Sequence, residues 1–281
     1  MIYVSSACIK HNKIKDSVSD LAKYGFKNIE LSGGTNFYSG FIDDLLELKE
    51  KYNLNYICHN YFPPPQEHFV INLASMNDDI FKKTLDHLEE SIKLTKLLNI
   101  DKFGFHAGFY YNIPLSQIGK IIAKKTLFNK NESLEKFCNA FNFLKNKYPN
   151  IKLYLENNVI SHKNLNNFDD NLFMLTNSDE YFELCRKIDF KFILDIAHLK
   201  VSANSLKLNF ERELESLIGE SDYIHVSDND GFTDQNLPLK KQSNLYSILS
   251  QYSLKNKIVT LEVYDTLRDI MDSYNLISKL K

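Results

Sequence analysis

Tryptophan is absent from this chain of 281 residues, although 16 Tyr and 20 Phe still leave aromatic surface for a homo-oligomer interface. Cysteine is scarce: Cys8, Cys58, Cys138 and Cys185 stand far apart and form no CxxC pair. That spacing excludes a cysteine-built zinc site and does not read as a disulfide framework. Cys8 and Cys58 fall in strand-like runs, where cysteine serves as small apolar filler. Glycine is sparse too, and no glycine-rich turn follows the first strand-like run. This disfavours an open dinucleotide-binding sheet. Neither sign of charge dominates, because the net charge is -2. No nucleic acid or anionic membrane is therefore expected as a partner. No apolar run reaches the roughly 18 residues of a membrane span. The opening MIYVSSACIKHNK lacks a basic segment followed by a long apolar stretch, so a cytoplasmic location is expected.

What is present describes a globular chain with a large core, since 43% of residues are hydrophobic and 25% charged. Short β-rich runs recur, each followed by a longer segment with helical spacing. Strands are predicted at Ile2–Ala7, Asn28–Ser32, Asn55–His59, Lys102–His106, Ile151–Glu156, Phe190–Asp195, Tyr223–Ser227 and Ile258–Val263. Amphipathic helices are predicted at Phe41–Tyr52, Ile80–Leu98, Leu134–Tyr148, Asp179–Lys187, Phe210–Ile218 and Leu245–Tyr252. Phe81, Leu85, Leu88, Ile92 and Leu98 fall mostly three or four apart, as on a helix lying against a sheet. Runs such as KLYLE and FKFILD suit strands buried on both faces. Strands alternating with helices imply parallel βαβ units. Eight such units without a composition break favour an α/β fold with one domain over residues 1–281, a single (β/α)8 TIM barrel. Two less regular stretches, Asn60–Met76 with its Pro63-Pro64-Pro65 run and Asn157–Ser178, follow strands. Both are expected above the face where such barrels place their sites.

The predicted strand ends carry the chemistry. Strand three ends at His59, strand four at His106, strand five at Glu156 and strand six at Asp195, with His198 just beyond. Strand seven contains His225 and precedes Asp228, and strand eight contains Glu262. One βα unit separates each from the next, so a barrel brings them to one mouth. Buried carboxylates are costly unless paired. Glu156, Asp195, His225 and Glu262 on four consecutive strands need a cation to join them, and this O/N set suits Mn, Mg, Co or Zn. His59, His106 and His198 stand at the same rim, and Asp228 lies in the turn-like SDNDG. His11, His68, His87 and His162 fall in helical or loop settings and read as surface residues. Lys240 and Lys241, after strand seven, read as solvated.

These pieces carry a resemblance over nearly the whole chain. HNYFPPP with FVINLAS, FHAG, LEN, LDIAH, HVSDNDG and LEV occur in the order seen in the xylose isomerase-like TIM-barrel superfamily, which holds sugar isomerases, ketose epimerases and the endonuclease IV type of abasic-site nuclease. The Asp195-x-x-His198 pair resembles that superfamily particularly well. The resemblance implies Glu156, Asp195, His225 and Glu262 as shared metal ligands and His198 as a substrate contact or further ligand. In the nuclease branch, histidines matching His59 and His106 and an Asp-x-His pair bind additional zinc. Here the matching stretch is Asp234-Gln235-Asn236, and an amide is a poor substitute for imidazole on zinc.

The expectation is a divalent-metal-dependent isomerase or epimerase of a sugar or sugar phosphate. Glu156 and Glu262, three strands apart, would move a proton through an enediolate. His59, His106, His198 and Asp228 would bind substrate, while Tyr61, Phe62 and the prolines would cover the sugar. The alternative is an endonuclease IV-like zinc phosphodiesterase using His59, His106, His198 and Asp234 for additional metal.

Overall fold

The computed structural model describes all 281 residues. Eight parallel strands close in chain order: β1 (Ile2–Ser5), β2 (Asn28–Leu31), β3 (Asn55–His59), β4 (Lys102–His106), β5 (Lys152–Glu156), β6 (Lys191–Asp195), β7 (Tyr223–Val226) and β8 (Ile258–Leu261), with β8 paired back onto β1. The chain is thus a single (β/α)8 TIM barrel. Two strands have the predicted bounds, and the others are trimmed at their ends. β1 stops early because Ser5 Oγ accepts a bond from Ala7 N at 3.3 Å and starts a 3₁₀ turn.

Ten helices flank the barrel: α1 (Ile14–Tyr24), α2 (Phe41–Tyr52), α3 (Asp78–Leu97), α4 (Lys130–Lys147), α5 (His162–Phe168), α6 (Ser178–Cys185), α7 (Ile196–Leu206), α8 (Phe210–Ile218), α9 (Asn244–Leu249) and α10 (Leu267–Ser278). Polar side chains start most of them by accepting otherwise orphaned backbone N–H groups. Asn77 caps α3 through Ile80 N at 3.0 Å, and Asn209 caps α8 through Arg212 N at 3.0 Å. No helix is long and apolar enough to cross a membrane.

Because side chains alternate across a strand, every second residue points into the barrel. Tyr223 thus lies one step below His225, Thr260 below Glu262, Gly104 below His106 and Ile193 below Asp195. The outward residues between them, including Phe105, Leu155, Leu194 and Ile224, are fully buried beneath the helices. Register fixes the height of the mouth, since His106 pairs with Glu156 and Asp195 with His225. A main cluster of 64 buried hydrophobic residues unites barrel and helices. A satellite of nine, including Val70, Phe109, Ile122 and Phe173, lies among the loops after β3, β4 and β5.

His87 departs from expectation. It sits on α3 with only 5% exposure, its Nε2 lacks a partner, and the ring packs edge-on to Phe69 at 5.9 Å. Burial lowers its pKa to about 4. The buried face of α3 also carries Thr84, Ser91 and Thr95, so apolar periodicity alone does not mark its full width.

Candidate metal centre at the barrel mouth

Glu156, Asp195, His225 and Glu262 each send one ligand atom to a common point, all within 4.8 Å of one another. His225 Nδ1 lies 3.3 Å from Glu156 Oε1, 4.0 Å from Asp195 Oδ2 and 3.7 Å from Glu262 Oε2. Donors about 2 Å from one divalent ion stand roughly 3 to 4 Å apart, so the spacing fits. His225 Nδ1 is buried without a hydrogen-bond partner, as are Glu156 Oε2, His59 Nε2 and His106 Nδ1. Each such orphan costs about 1–3 kcal/mol, and a cation removes the penalty for the atoms it binds. The residues therefore fit a divalent metal.

The far side of His225 is held by a residue that sequence reasoning missed. Glu30, in the middle of β2, accepts a hydrogen bond from His225 Nε2 at 3.1 Å. Tyr223 Oη also donates to Glu30, as do Thr260 Oγ1 at 3.0 Å and Ser32 Oγ at 3.0 Å. A proton held on Nε2 leaves Nδ1 free to ligate. Burial acts to raise the Glu30 pKa, but His225, His59 and Ser32 bring it below the ordinary value. Burial acts to lower that of His225, and Glu30, Glu156 and Glu262 together drive it well upward. A charged buried residue inside NIEL was the available signal.

Asp195 divides its two oxygens between structure and site. Oδ1 caps α7 by accepting from His198 N at 2.7 Å, leaving Oδ2 for the ligand cluster. The Asp-x-x-His spacing is thus an N-cap that sets His198 in the first turn. His198 Nδ1 lies 2.9 Å from the Asn157 carbonyl, which requires the proton on that nitrogen and directs Nε2 to the mouth. Asn157 also clamps Asp195, accepting from its N at 2.7 Å and donating to its O at 2.9 Å. Burial raises the Asp195 pKa to about 6, with Glu156 adding to the rise and His198 opposing it. Burial likewise raises Glu262 to about 7, helped by Glu156 and opposed by His225.

A second set overlaps the first. His59, His106 and Glu156 also bring ligand atoms within 4.8 Å of one another. His59 Nε2 is 2.6 Å and His106 Nδ1 3.2 Å from Glu156 Oε2, without hydrogen-bond geometry. Glu156 Oε1 faces His225 while Oε2 faces His59 and His106, so one carboxylate serves both sets. Burial opposes ionisation of Glu156, but His106, His59 and His225 bring its pKa well below the usual value. His59 has room because Gly104 faces it from β4. A Cβ at residue 104 meets His59 Cδ2 at 2.8 Å and Ile193 Cδ1 at 2.5 Å.

At the rim, Asp234 Oδ2 lies 3.4 Å from His198 Nε2, but the pair joins no group of three ligands. Asn236 lines the mouth beside them, and its Oδ1 accepts from Ser227 Oγ at 3.3 Å. Asp228 turns away from the cluster. Its Oδ1 is 2.8 Å from Lys200 Nζ and accepts from Asn229 N at 2.8 Å, as a loop-forming Asp does. The segment after β3 divides in the same way. Tyr61 lines the mouth, Phe62 is buried against Phe41, and Pro63, Pro64 and Pro65 line a separate outer cavity. The prolines therefore do not cover the mouth. Lys240 and Lys241 are exposed.

The mouth is a cavity of about 740 Å³ that includes His59, His106, His198, Glu262, Asp234 and the loop Ser32–Thr35. Fold and site together define a TIM barrel with a carboxylate–histidine cluster at the C-terminal ends of its strands. The chain belongs to the xylose isomerase-like TIM barrel family, whose model matches residues 18–271. A D-tagatose 3-epimerase-like protein superposes with a TM-score of 0.72 at 20% identity, over 99% of this chain and 96% of its own. D-psicose 3-epimerase from Clostridium cellulolyticum, solved with D-tagatose, gives 0.62 at 13% over 99% and 94%. Endonuclease IV from Thermus thermophilus gives 0.62 at 12% over 99% and 98%. At these identities the likeness concerns the fold. A search of curated proteins finds no match.

Proposed function

We propose that the protein is a divalent-metal-dependent isomerase or epimerase of a sugar or sugar derivative. The carrying observation is the placement of Glu156 and Glu262 on strands three apart, their carboxylates within 4.8 Å of the same His225 and Asp195 ligand atoms, with Glu262 opening onto the mouth cavity. A bound divalent cation would polarise adjacent carbonyl and hydroxyl oxygens of the substrate, acidifying the hydrogen on carbon. The chain's own groups supply the rest. Glu262 removes a proton from one face of the substrate carbon and Glu156 returns one from the other, through an enediolate. His198, held through Nδ1 by the Asn157 carbonyl, presents Nε2 to a hydroxyl. His106 and Tyr61 bound the same space. Solvent deuterium entering at carbon, followed by NMR across a sugar panel, is the test. Replacing Glu262 or Glu156 by Gln is expected to slow exchange by roughly 10²–10⁴-fold. If both variants exchange at the wild-type rate, the assignment is wrong.

One observation favours a second reading. His59 and His106 share Glu156 as a second ligand set, and paired metals suit phosphodiester hydrolysis. This zinc phosphodiesterase reading predicts two ions per chain, loss of one in His106→Ala, and cleavage of an abasic duplex. Asn236 counts against a third ion, since amides ligate zinc poorly. Elemental analysis of protein purified without chelator separates the readings. About one ion per chain, retained in His106→Ala, supports the isomerase or epimerase.

A further inference from the structure

The mouth has a second lobe of different chemistry. Beyond Tyr61, His106, Ile118, His198 and Asp234, which border both spaces, lies a cavity of about 390 Å³ whose lining includes Val70, Phe109, Ile113, Ile121 and Ile122. The first lobe instead offers Lys10, His11, Asn12, Ser32, Thr35 and Asn60. The second lobe is therefore the richer in apolar side chains, although Gln117, Lys120 and Lys163 also reach its edge.

The apolar lobe is a built wall. Ile122 is pinned at both backbone groups: its N donates to Asn164 Oδ1 at 2.9 Å, and its O accepts from Asn167 Nδ2 at 2.6 Å. Lys120 O accepts from Asn164 Nδ2 at 3.1 Å. Asn72 secures the opposite wall, accepting from Phe109 N at 2.9 Å and donating to Phe109 O at 3.0 Å. Asn158 lines the lobe, but its amide already donates to Met174 O at 2.8 Å and Ala107 O at 3.0 Å. Val70, Phe109, Ile113, Ile122 and Phe173 in the wall belong to the nine-residue satellite core. Yet Ile118 and Ile121 remain 46% and 59% exposed at the edge of this cavity. Apolar side chains on a pinned loop beside a polar catalytic cluster fit a ligand that covers them.

We infer that the substrate is bipartite, a polyhydroxylated carbonyl unit in the polar lobe with an apolar substituent, aromatic or acyl, lying over Ile118 and Ile121 in the second lobe. The inference rests on the sugar isomerase or epimerase reading for its polar half, and its apolar half can be tested without turnover. The substituent touches no reacting atom and acts by positioning. Burying it draws the sugar toward His106 and His198 and seals that side from water.

The test compares ketohexoses with their benzyl ethers at each hydroxyl not adjacent to the carbonyl. Metal-loaded protein is used throughout. Binding is measured by calorimetry and deuterium entry at carbon by NMR. At least one ether is expected to bind about tenfold or more tightly than its parent ketose. The ratio of the two affinities is expected to fall toward one in Ile121→Asp and in Ile118→Asp, whose side chains are exposed enough for the fold to survive, as circular dichroism checks. Equal binding of every ketose and its ether overturns the inference, as does a preference that both variants retain. Tighter ether binding without exchange at carbon supports the apolar lobe and removes the isomerase or epimerase reading. Exchange with bare ketoses and no gain for any ether does the reverse.

Discussion

Glu30 holds His225 from behind, and its replacement separates orientation from ligation. Glu30→Gln keeps the volume but removes the charged acceptor of the Nε2 proton. Loss of such a partner typically weakens metal binding by roughly 10–100-fold. Calorimetric titration with Mn or Zn should show that drop with the number of ions per chain unchanged. Wild-type affinity in the variant would remove Glu30 from this role. His87 is a second buried group with a measurable signature. Its native pKa is lowered to about 4 by burial, against about 6.5 unfolded. Between those values the unfolded chain binds a proton that the native chain does not, so stability rises with pH through the window. The contribution is fully present above about 6.5 and lost as pH falls through about 4, on the order of 3 kcal/mol in all. His87→Leu is expected to flatten denaturation midpoints across that window. An unchanged acid slope in the variant would show that other groups set it.

At the scale of strands and loops, β4 makes room for β3. Gly104→Ala brings a Cβ to 2.8 Å from the His59 ring, inside a packed barrel where Ile193 also crowds it. Such overpacking costs typically about 1–3 kcal/mol. The displaced imidazole belongs to the set of His59, His106 and Glu156, so an ion held around His225 should keep its affinity within a few-fold. Competition titration with a chromophoric chelator reads that affinity, and a large loss would show that His59 supports the His225 set as well. The elements themselves were largely legible from the sequence. Runs such as KLYLE are bounded by polar residues, and eight of them alternating with helices favoured a closed barrel over an open sheet. The helix starting at Ile196 was harder to read, because IAHLKVSANSL is buried on nearly every side and carries no amphipathic stripe. The site divides similarly. Carboxylates and imidazoles at strand ends announced themselves, whereas Glu30 sits mid-strand and shows its purpose only when β2 and β7 face one another across the barrel. Asp228 could be read either as a substrate contact or as a turn former, and the Lys200 contact shows the loop holding it apart from the cluster.

For the whole molecule, an ion held by the cluster would couple its binding to folding. Four buried atoms without partners are a cost that the unfolded chain does not carry. An ion at a hundred times its dissociation constant stabilises the native state by about 2.7 kcal/mol. In a chain of this size that corresponds to about 4–5 °C in Tm. Dialysis against a chelator should lower Tm by about that amount, with recovery when the divalent ion is restored. A melting curve indifferent to both treatments would leave the mouth without a resident ion.

The burial of thiols provides an independent clock for opening of the barrel. Cys8, Cys58 and Cys138 are buried behind β1, within β3 and on α4, while Cys185 alone is exposed on α6. A short pulse of alkylating reagent should therefore mark one sulfur per native chain and four after unfolding. Mass spectrometry of the pulse would date the loss of protection at three separated points. Simultaneous labelling of Cys8, Cys58 and Cys138 would show that the closed sheet opens as one unit, and staggered labelling would show which stave parts first.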